Sequence, residues 1–248
     1  MLTAPSPDVA AAPSRGRSGH VRSVYERAAG GYDMYYRRLW IAAAGGKAEQ
    51  AMLDQIAAAL APLESPRVLD AGAGTGALSR ELALLLPDVH PVLVDLSPAM
   101  LARGADLGDP RAVASVTALP FPDGTFDAVV CAWVIETVDE PHAAVTEFLR
   151  VLRPGGRLVY SFCSRPSQRR DRWRTGPLRA IVHGFFAGHF LTAAQTPFHD
   201  CDMSSRTTYA GGVVTVVSLG TCCTVGDAST PGNRNTPTGP ACTRARSA

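Results

Sequence analysis

The sequence predicts a doubly wound α/β fold, a mostly parallel sheet covered by helices on both faces, with an antiparallel strand at its C-terminal edge, all in a single domain. Three observations predict it. Short apolar runs alternate with helical patterns through the middle of the chain, and a glycine-rich turn follows the first of those runs. A late β-branched run, Gly212–Cys223 (GVVTVVSLGTCC), lacks as clear a crossover pattern before it, so it reads as an antiparallel addition.

Met52, Leu53, Ile56 and Leu60 recur at helical intervals and predict a helix over residues 47–61, ended before Pro62. Arg67–Ala71 (RVLDA) is the first strand, and Ala77–Leu86 (ALSRELALLL) is a buried helix stopped by Pro87. His90–Leu96 is the second strand, after which Ser97 is placed to cap the helix opened by Pro98. A weaker third strand lies near Arg111–Ser115, a fourth at Phe126–Trp133 (FDAVVCAW), a helix at Pro141–Leu152 and a fifth strand at Gly156–Cys163. Residues 1–23 read as a disordered tail, 24–225 as the folded domain, and 226–248 as a second disordered tail. Of the last 23 residues, 14 are Gly, Pro, Ser, Thr or Asn, which bury too little to offset the entropy of ordering.

Composition narrows the function. At 46% hydrophobic and 19% charged residues, with mean hydropathy +0.04, the chain is an ordinary globular one. Its net charge of +2 sits in the two tails, each +2, and leaves a body of −2. A slightly acidic body speaks against nucleic-acid binding, which needs a concentrated basic surface. Neither a membrane-spanning run nor a secretory h-region is present in the sequence, so the expected location is cytoplasmic. In that reducing compartment the six cysteines are expected as thiols, and none is in CxxC spacing.

The chemistry is carried by Asp70-Ala71-Gly72-Ala73-Gly74-Thr75-Gly76 after the first strand, with Asp95 ending the second. Glycines let the backbone turn tightly and approach a nucleotide, while an acid on the neighbouring strand reaches ribose hydroxyls through charge-assisted hydrogen bonds. The same turn fits a dinucleotide fold, so the pattern alone leaves a nicotinamide-dependent oxidoreductase open. Asp70 weighs against that, because a carboxylate facing a pyrophosphate is unfavourable but suits a ligand bearing an ammonium group.

VLDAGAGTG, VDLSPAML, ALPFPDGTFDAVV and LRVLRPGGRLV follow one another in the order and approximate spacing of class I S-adenosylmethionine-dependent methyltransferases, which the chain therefore resembles. It is most similar to the methyltransferase type 11 branch that includes ubiquinone and menaquinone biosynthesis C-methyltransferases, clearly over residues 21–162 and loosely over 163–225. The resemblance implies a Rossmann-like fold and S-adenosylmethionine as cofactor. Carried over by position, it implies that Gly72, Gly74 and Thr75 line the methionine side, Asp95 grips the ribose and Leu96 flanks the adenine. Ser115 and Val116 stand where the family carries an acidic or amide residue for the adenine amino group. Recognition there falls to the Ser115 hydroxyl or the Val116 backbone. Ala132 and Trp133 would border the sulfonium, whose charge an aromatic face favours by roughly 0.5–2 kcal/mol. Tyr32, in the GGYD segment, reads equally as a packing aromatic or a lid over the cofactor.

The expected activity is methyl transfer to a small or lipophilic acceptor, with a non-catalytic interaction module as a further reading. No catalytic residue is singled out: His142, Glu136 and His199 are conceivable bases for a phenol or activated carbon. The His and Cys residues after position 180 match no zinc spacing and no metal site is expected, although Cys201, Cys222 and Cys223 could converge on a metalloid substrate. Arg165–Arg179 sets six arginines and Trp173 against one aspartate. It reads as a solvated loop, or as a flap in peripheral contact with an anionic membrane.

Overall fold

The inner strands of the central sheet are buried on both faces, which is why the sequence shows continuous apolar runs there rather than alternation. In the computed structural model, residues 17–105, 110–185, 187–192, 195–197 and 204–220 are described. The strands are β1 (Arg67–Ala71), β2 (His90–Asp95), β3 (Arg111–Val113), β4 (Phe126–Ala132), β5 (Leu152–Cys163), β6 (Ser205–Tyr209) and β7 (Val214–Gly220). They form one sheet in the order β3-β2-β1-β4-β5-β7-β6. The first five are parallel, and β7 runs antiparallel to both β5 and β6.

The late β-branched run is thus the antiparallel strand expected, but it lies inside the sheet and β6 takes the edge. Its seven residues are all buried, whereas β6 (SRTTY) is exposed along most of its length and carries no apolar signal for a reader of the sequence.

The helices are α1 (Arg17–Ala28), α2 (Gly46–Leu60), α3 (Ala77–Leu85), α4 (Pro98–Arg103), α5 (Pro141–Val151), α6 (Arg169–Arg174) and α7 (Gly176–Phe185). One face of the sheet, with Leu69, Val129 and Tyr160, packs on Ala144, Val145, Phe148 and Val151 of α5. The other, with Val68, Ala128, Val130 and Val159, packs on Met52, Leu53, Ile56 and Leu60 of α2, Leu78 and Leu82 of α3, and Val182 of α7. Burying each of these large side chains stabilises the fold by about 1.5–3 kcal/mol.

Two N-terminal features depart from expectation. α1 begins at Arg17, inside the stretch read as a tail. Only Val21 of its twelve residues is buried, so it leaves no periodic trace. Residues Asp33–Gly45 form a π-helix whose end is marked by the Gly46 N–H donating to Ile41 O five residues back. The rest of both tails, the Val225 boundary, His199, Cys201, Cys222 and Cys223 lie outside the described residues. Cys131 and Cys163 are buried free thiols.

Candidate functional site

The C-terminal ends of β1, β2 and β4 open into a crevice of about 660 Å³, mouth included. Sheets of this kind bind ligands at this end, where loops diverge from the strand tips. Of the residues picked from the sequence, Tyr32, Gly72, Asp95, Leu96, Ser115, Val116, Ala132 and Trp133 all line it. α1 covers one side with Ser18, Val21 and Tyr25, and Met100, Val134 and Thr137 complete the wall. Sequence reading missed α1 for want of an apolar stripe.

The glycine turn is built by close approach. The Gly72 and Ala73 amides both donate to Val94 O, at 2.7 and 2.9 Å. Gly72 has φ +76°, and a Cβ there would stand 2.1 Å from Val134 Cγ2, so no other residue fits. Asp95 Oδ2 accepts from the Gly74 amide at 2.8 Å and Oδ1 from the Ser97 amide at 2.8 Å. Burial raises the Asp95 carboxyl above the usual range, against the pull of these amides. A carboxylate accepts about four hydrogen bonds, so acceptor capacity remains for a ligand hydroxyl. Ser97 Oγ accepts from Met100 N–H at 3.3 Å and starts α4, as the sequence implied.

Three of the expected contacts are not in the crevice wall. Gly74 spends its amide on Asp95. Thr75 is 2% exposed and donates from Oγ1 to Asp33 Oδ1 at 2.7 Å, tying the turn to the π-helix. Asp70, expected to face a ligand's ammonium group, instead accepts from Ser79 Oγ at 2.7 Å and is 2% exposed. The reason is strand alternation: Asp70 shares a face with Val68, under α3, rather than pointing out of the strand tip. Burial pushes its carboxyl up to about 7, with Asp95 adding to the rise and Ser79 opposing it.

Ser115 Oγ is 2.8 Å from Thr117 Oγ1 and also accepts from the Thr117 amide at 3.2 Å. Val116 is buried beside it. Of the conceivable bases, His142 opens α5 outside the crevice wall. Glu136 lies in a 3₁₀ turn, Ile135–Thr137, and lines a narrow recess beside the crevice that shares Tyr25, Trp133 and Thr137 with it. Burial pushes its carboxyl up to about 7, against hydrogen bonds that include one from Cys163.

The sheet order separates two of the readings. A dinucleotide fold has six parallel strands in the order 3-2-1-4-5-6, whereas here an antiparallel β7 lies between β5 and β6. Residues 69–160 match a family model described as a methyltransferase domain. Over these residues the chain is similar to methyltransferase domains. Its relatives include the demethylmenaquinone methyltransferase of Clavibacter sepedonicus, 42% identical over 113 residues, covering 44% of this chain and 45% of that protein. The ubiquinone/menaquinone biosynthesis C-methyltransferase UbiE of Roseobacter denitrificans is 32% identical over 162 residues, covering 59% of this chain and 60% of that protein. The matches thus span about half the length of these curated relatives. Among solved structures, an S-adenosylmethionine-dependent methyltransferase from Thermotoga maritima superposes with a TM-score of 0.55 at 20% identity, covering 82% of this chain and 100% of that one, a likeness of fold.

The lining of the crevice suits S-adenosylmethionine, the cofactor that the resemblance implies. Among the described residues, the crevice wall holds an acid, apolar side chains and aromatic rings, and neither Lys nor Arg. That fits a nucleoside without phosphates that ends in a sulfonium cation. Among the described residues no group of three or more His, Cys, Asp or Glu is gathered for a metal, and no helix is long and apolar enough to cross a membrane.

Proposed function

We propose that the chain is an S-adenosylmethionine-dependent methyltransferase acting on a lipophilic, quinone-type small molecule. The observation that carries this reading is Asp95 at the floor of a crevice with apolar and aromatic walls and no cationic side chain among its described residues. Named relatives that methylate demethylmenaquinone and make ubiquinone and menaquinone support the acceptor class.

Bound in the crevice, the cofactor supplies an electrophilic methyl group on sulfur. Asp95 holds the ribose hydroxyls, and Leu96 and Val116 flank the adenine, with Ser115 beside it. Gly72, Gly74 and Thr75 shape the methionine side; Thr75 and Gly74 act through Asp33 and Asp95, and Asp70 through Ser79 of α3. Ala132 and Trp133 border the sulfur, and Tyr25 and Tyr32, 5.9 Å apart between ring centroids, close the mouth against water. In-line displacement needs no protein nucleophile, so the residues work by position: reacting atoms must be held about 3–3.5 Å apart.

Calorimetric titration with S-adenosylmethionine, S-adenosylhomocysteine and NAD tests the reading. Binding of the first two and not the third is expected. Preference for NAD rejects it, and binding of none would favour an interaction module instead.

The arginine-rich segment adds a route to a membrane-dissolved acceptor. It folds into α6 and α7, where Arg169 and Arg170 are exposed and Trp173 is 88% exposed. An exposed aromatic among arginines suits peripheral contact with anionic lipid.

A further inference from the structure

α1 walls one side of the crevice with Ser18, Val21 and Tyr25, yet only Val21 of its twelve residues is buried. So little buried surface holds a helix down weakly, because helices in proteins owe most of their stability to packing an apolar face. Pairs along its own surface keep α1 helical: Arg22 Nε donates to Glu26 Oε1 at 2.9 Å, and Arg27 donates to Ser23 Oγ. A helix that coheres within itself and packs lightly moves as a unit, so its ends decide whether it stays over the crevice.

Arginines tie both ends. Just past the C-terminal end, Arg103 Nη2 of α4 donates to Gly30 O at 2.9 Å. At the first residue, Arg17 Nη2 donates to Ala187 O at 3.2 Å and to His189 Nδ1. A guanidinium only donates, so His189 accepts at Nδ1 and carries its ring proton on Nε2. Arg17 Nε is buried as well, so the side chain is seated against this segment. Local chemistry does not put a cation here: the helix dipole disfavours positive charge at an N-terminus, and no acid stands in the first turn to offset it. The gripped segment is itself fixed to the sheet. Leu191 is buried, its N–H donates to Cys163 O at 3.0 Å and its carbonyl accepts from the Arg165 amide at 2.9 Å. His189 N–H donates to Glu136 O at 3.3 Å.

We infer that Arg17 is a positioning residue for the cofactor: by gripping Ala187 O and His189 it latches α1 over the crevice, and this latch sets how fast bound cofactor leaves. The inference rests on the methyltransferase reading of the crevice. Arg17 is not in the crevice wall and acts through Ser18, Val21 and Tyr25, which are. Cofactor retention thereby depends on a segment that follows α7, remote in the chain from the glycine turn and Asp95.

The test is surface plasmon resonance of S-adenosylhomocysteine on the immobilised full chain, which reads association and dissociation separately. Arg17→Met should raise the dissociation rate by about fivefold or more, as expected for a charged donor lost from a partly exposed site, with association undiminished. General loosening of the fold would instead lower the melting temperature and the fraction of chains that bind. His189→Phe, which keeps a ring and loses the acceptor, should also speed dissociation. The double variant should dissociate no faster than Arg17→Met, because both changes open the same latch. An unchanged dissociation rate in Arg17→Met, or effects of the two changes that multiply, would overturn the assignment. Failure of the wild type to bind S-adenosylhomocysteine would count against the cofactor reading. Hydrogen exchange on the free chain would then decide the latch: Arg17→Met should speed exchange of α1 amides and leave those of α5 alone, and equal exchange in α1 would overturn it.

Discussion

Asp95 accepts from the amides of Gly74 and Ser97, so one carboxylate both shapes the glycine turn and faces the ligand. Asp95→Ala should weaken S-adenosylhomocysteine binding by about tenfold or more, because charge-assisted bonds to the ribose are lost. Calorimetry on the variant, with its folded state checked by circular dichroism, measures this, and unchanged affinity would remove Asp95 from the ribose contact. Gly72 is constrained differently, by backbone and by space together. Gly72→Ala puts a Cβ at positive φ and within 2.1 Å of a stiff Val134 methyl. The expected loss of stability is about 2–5 kcal/mol, read from urea denaturation. A change near zero would mean that the turn re-forms elsewhere.

Arg150 of α5 fastens that helix to the segment ahead of β4. Its guanidinium donates to Glu147 and Asp123, and to the carbonyls of Leu119 and Phe121, pinning the loop ahead of β4. Arg150→Met should cost about 1–3 kcal/mol, less than the bond count suggests because the group is partly solvated. Chemical denaturation decides it, and a loss under 0.5 kcal/mol, roughly the range of ordinary surface changes, would show that the loop holds without the clamp. α6 carries a different expectation. With anionic vesicles the protein should co-sediment at low salt, and reversing the exposed charges in Arg169→Glu, Arg170→Glu should reduce binding by tenfold or more, at about 1 kcal/mol per basic residue lost. Binding that is absent, or indifferent to salt and to the reversal, would leave α6 a solvated helix.

Stability as a function of pH sums over the buried acids. Asp70 and Glu136 are both pushed up to about 7 by burial, and Asp95 is raised as well. In the unfolded chain such groups titrate near 4, so between about pH 4 and 7 the folded state holds protons that the unfolded state has released. Their contribution is therefore complete below about pH 4 and is lost as pH rises through 7, on the order of 3 kcal/mol for each of Asp70 and Glu136. Glu147, held low by the Arg150 guanidinium, works the other way, and only on the acid side of that window. Denaturation midpoints should fall from pH 5 to pH 8, and Asp70→Asn, which keeps an acceptor for Ser79, should flatten the fall. A midpoint that rises over that interval would contradict the burial of these carboxyls.

Local chemistry in the chain was enough to read the alternation of β1, α3, β2, α4, β4 and α5, because strands covered on both faces must be apolar throughout and helix starts such as Ser97 carry their own caps. The glycine turn and Asp95 were legible for the same reason: a tight bend and an acid at a strand end are written in adjacent residues. β6, α1 and the π-helix were not, since each buries little or follows no simple period. Nor was the direction of Asp70, whose neighbour Ser79 is set by how α3 lies on the sheet. The meeting of Trp40 with Trp133 depends on the packing of elements remote in the chain, and no spacing in the sequence encodes a contact that only packing brings about.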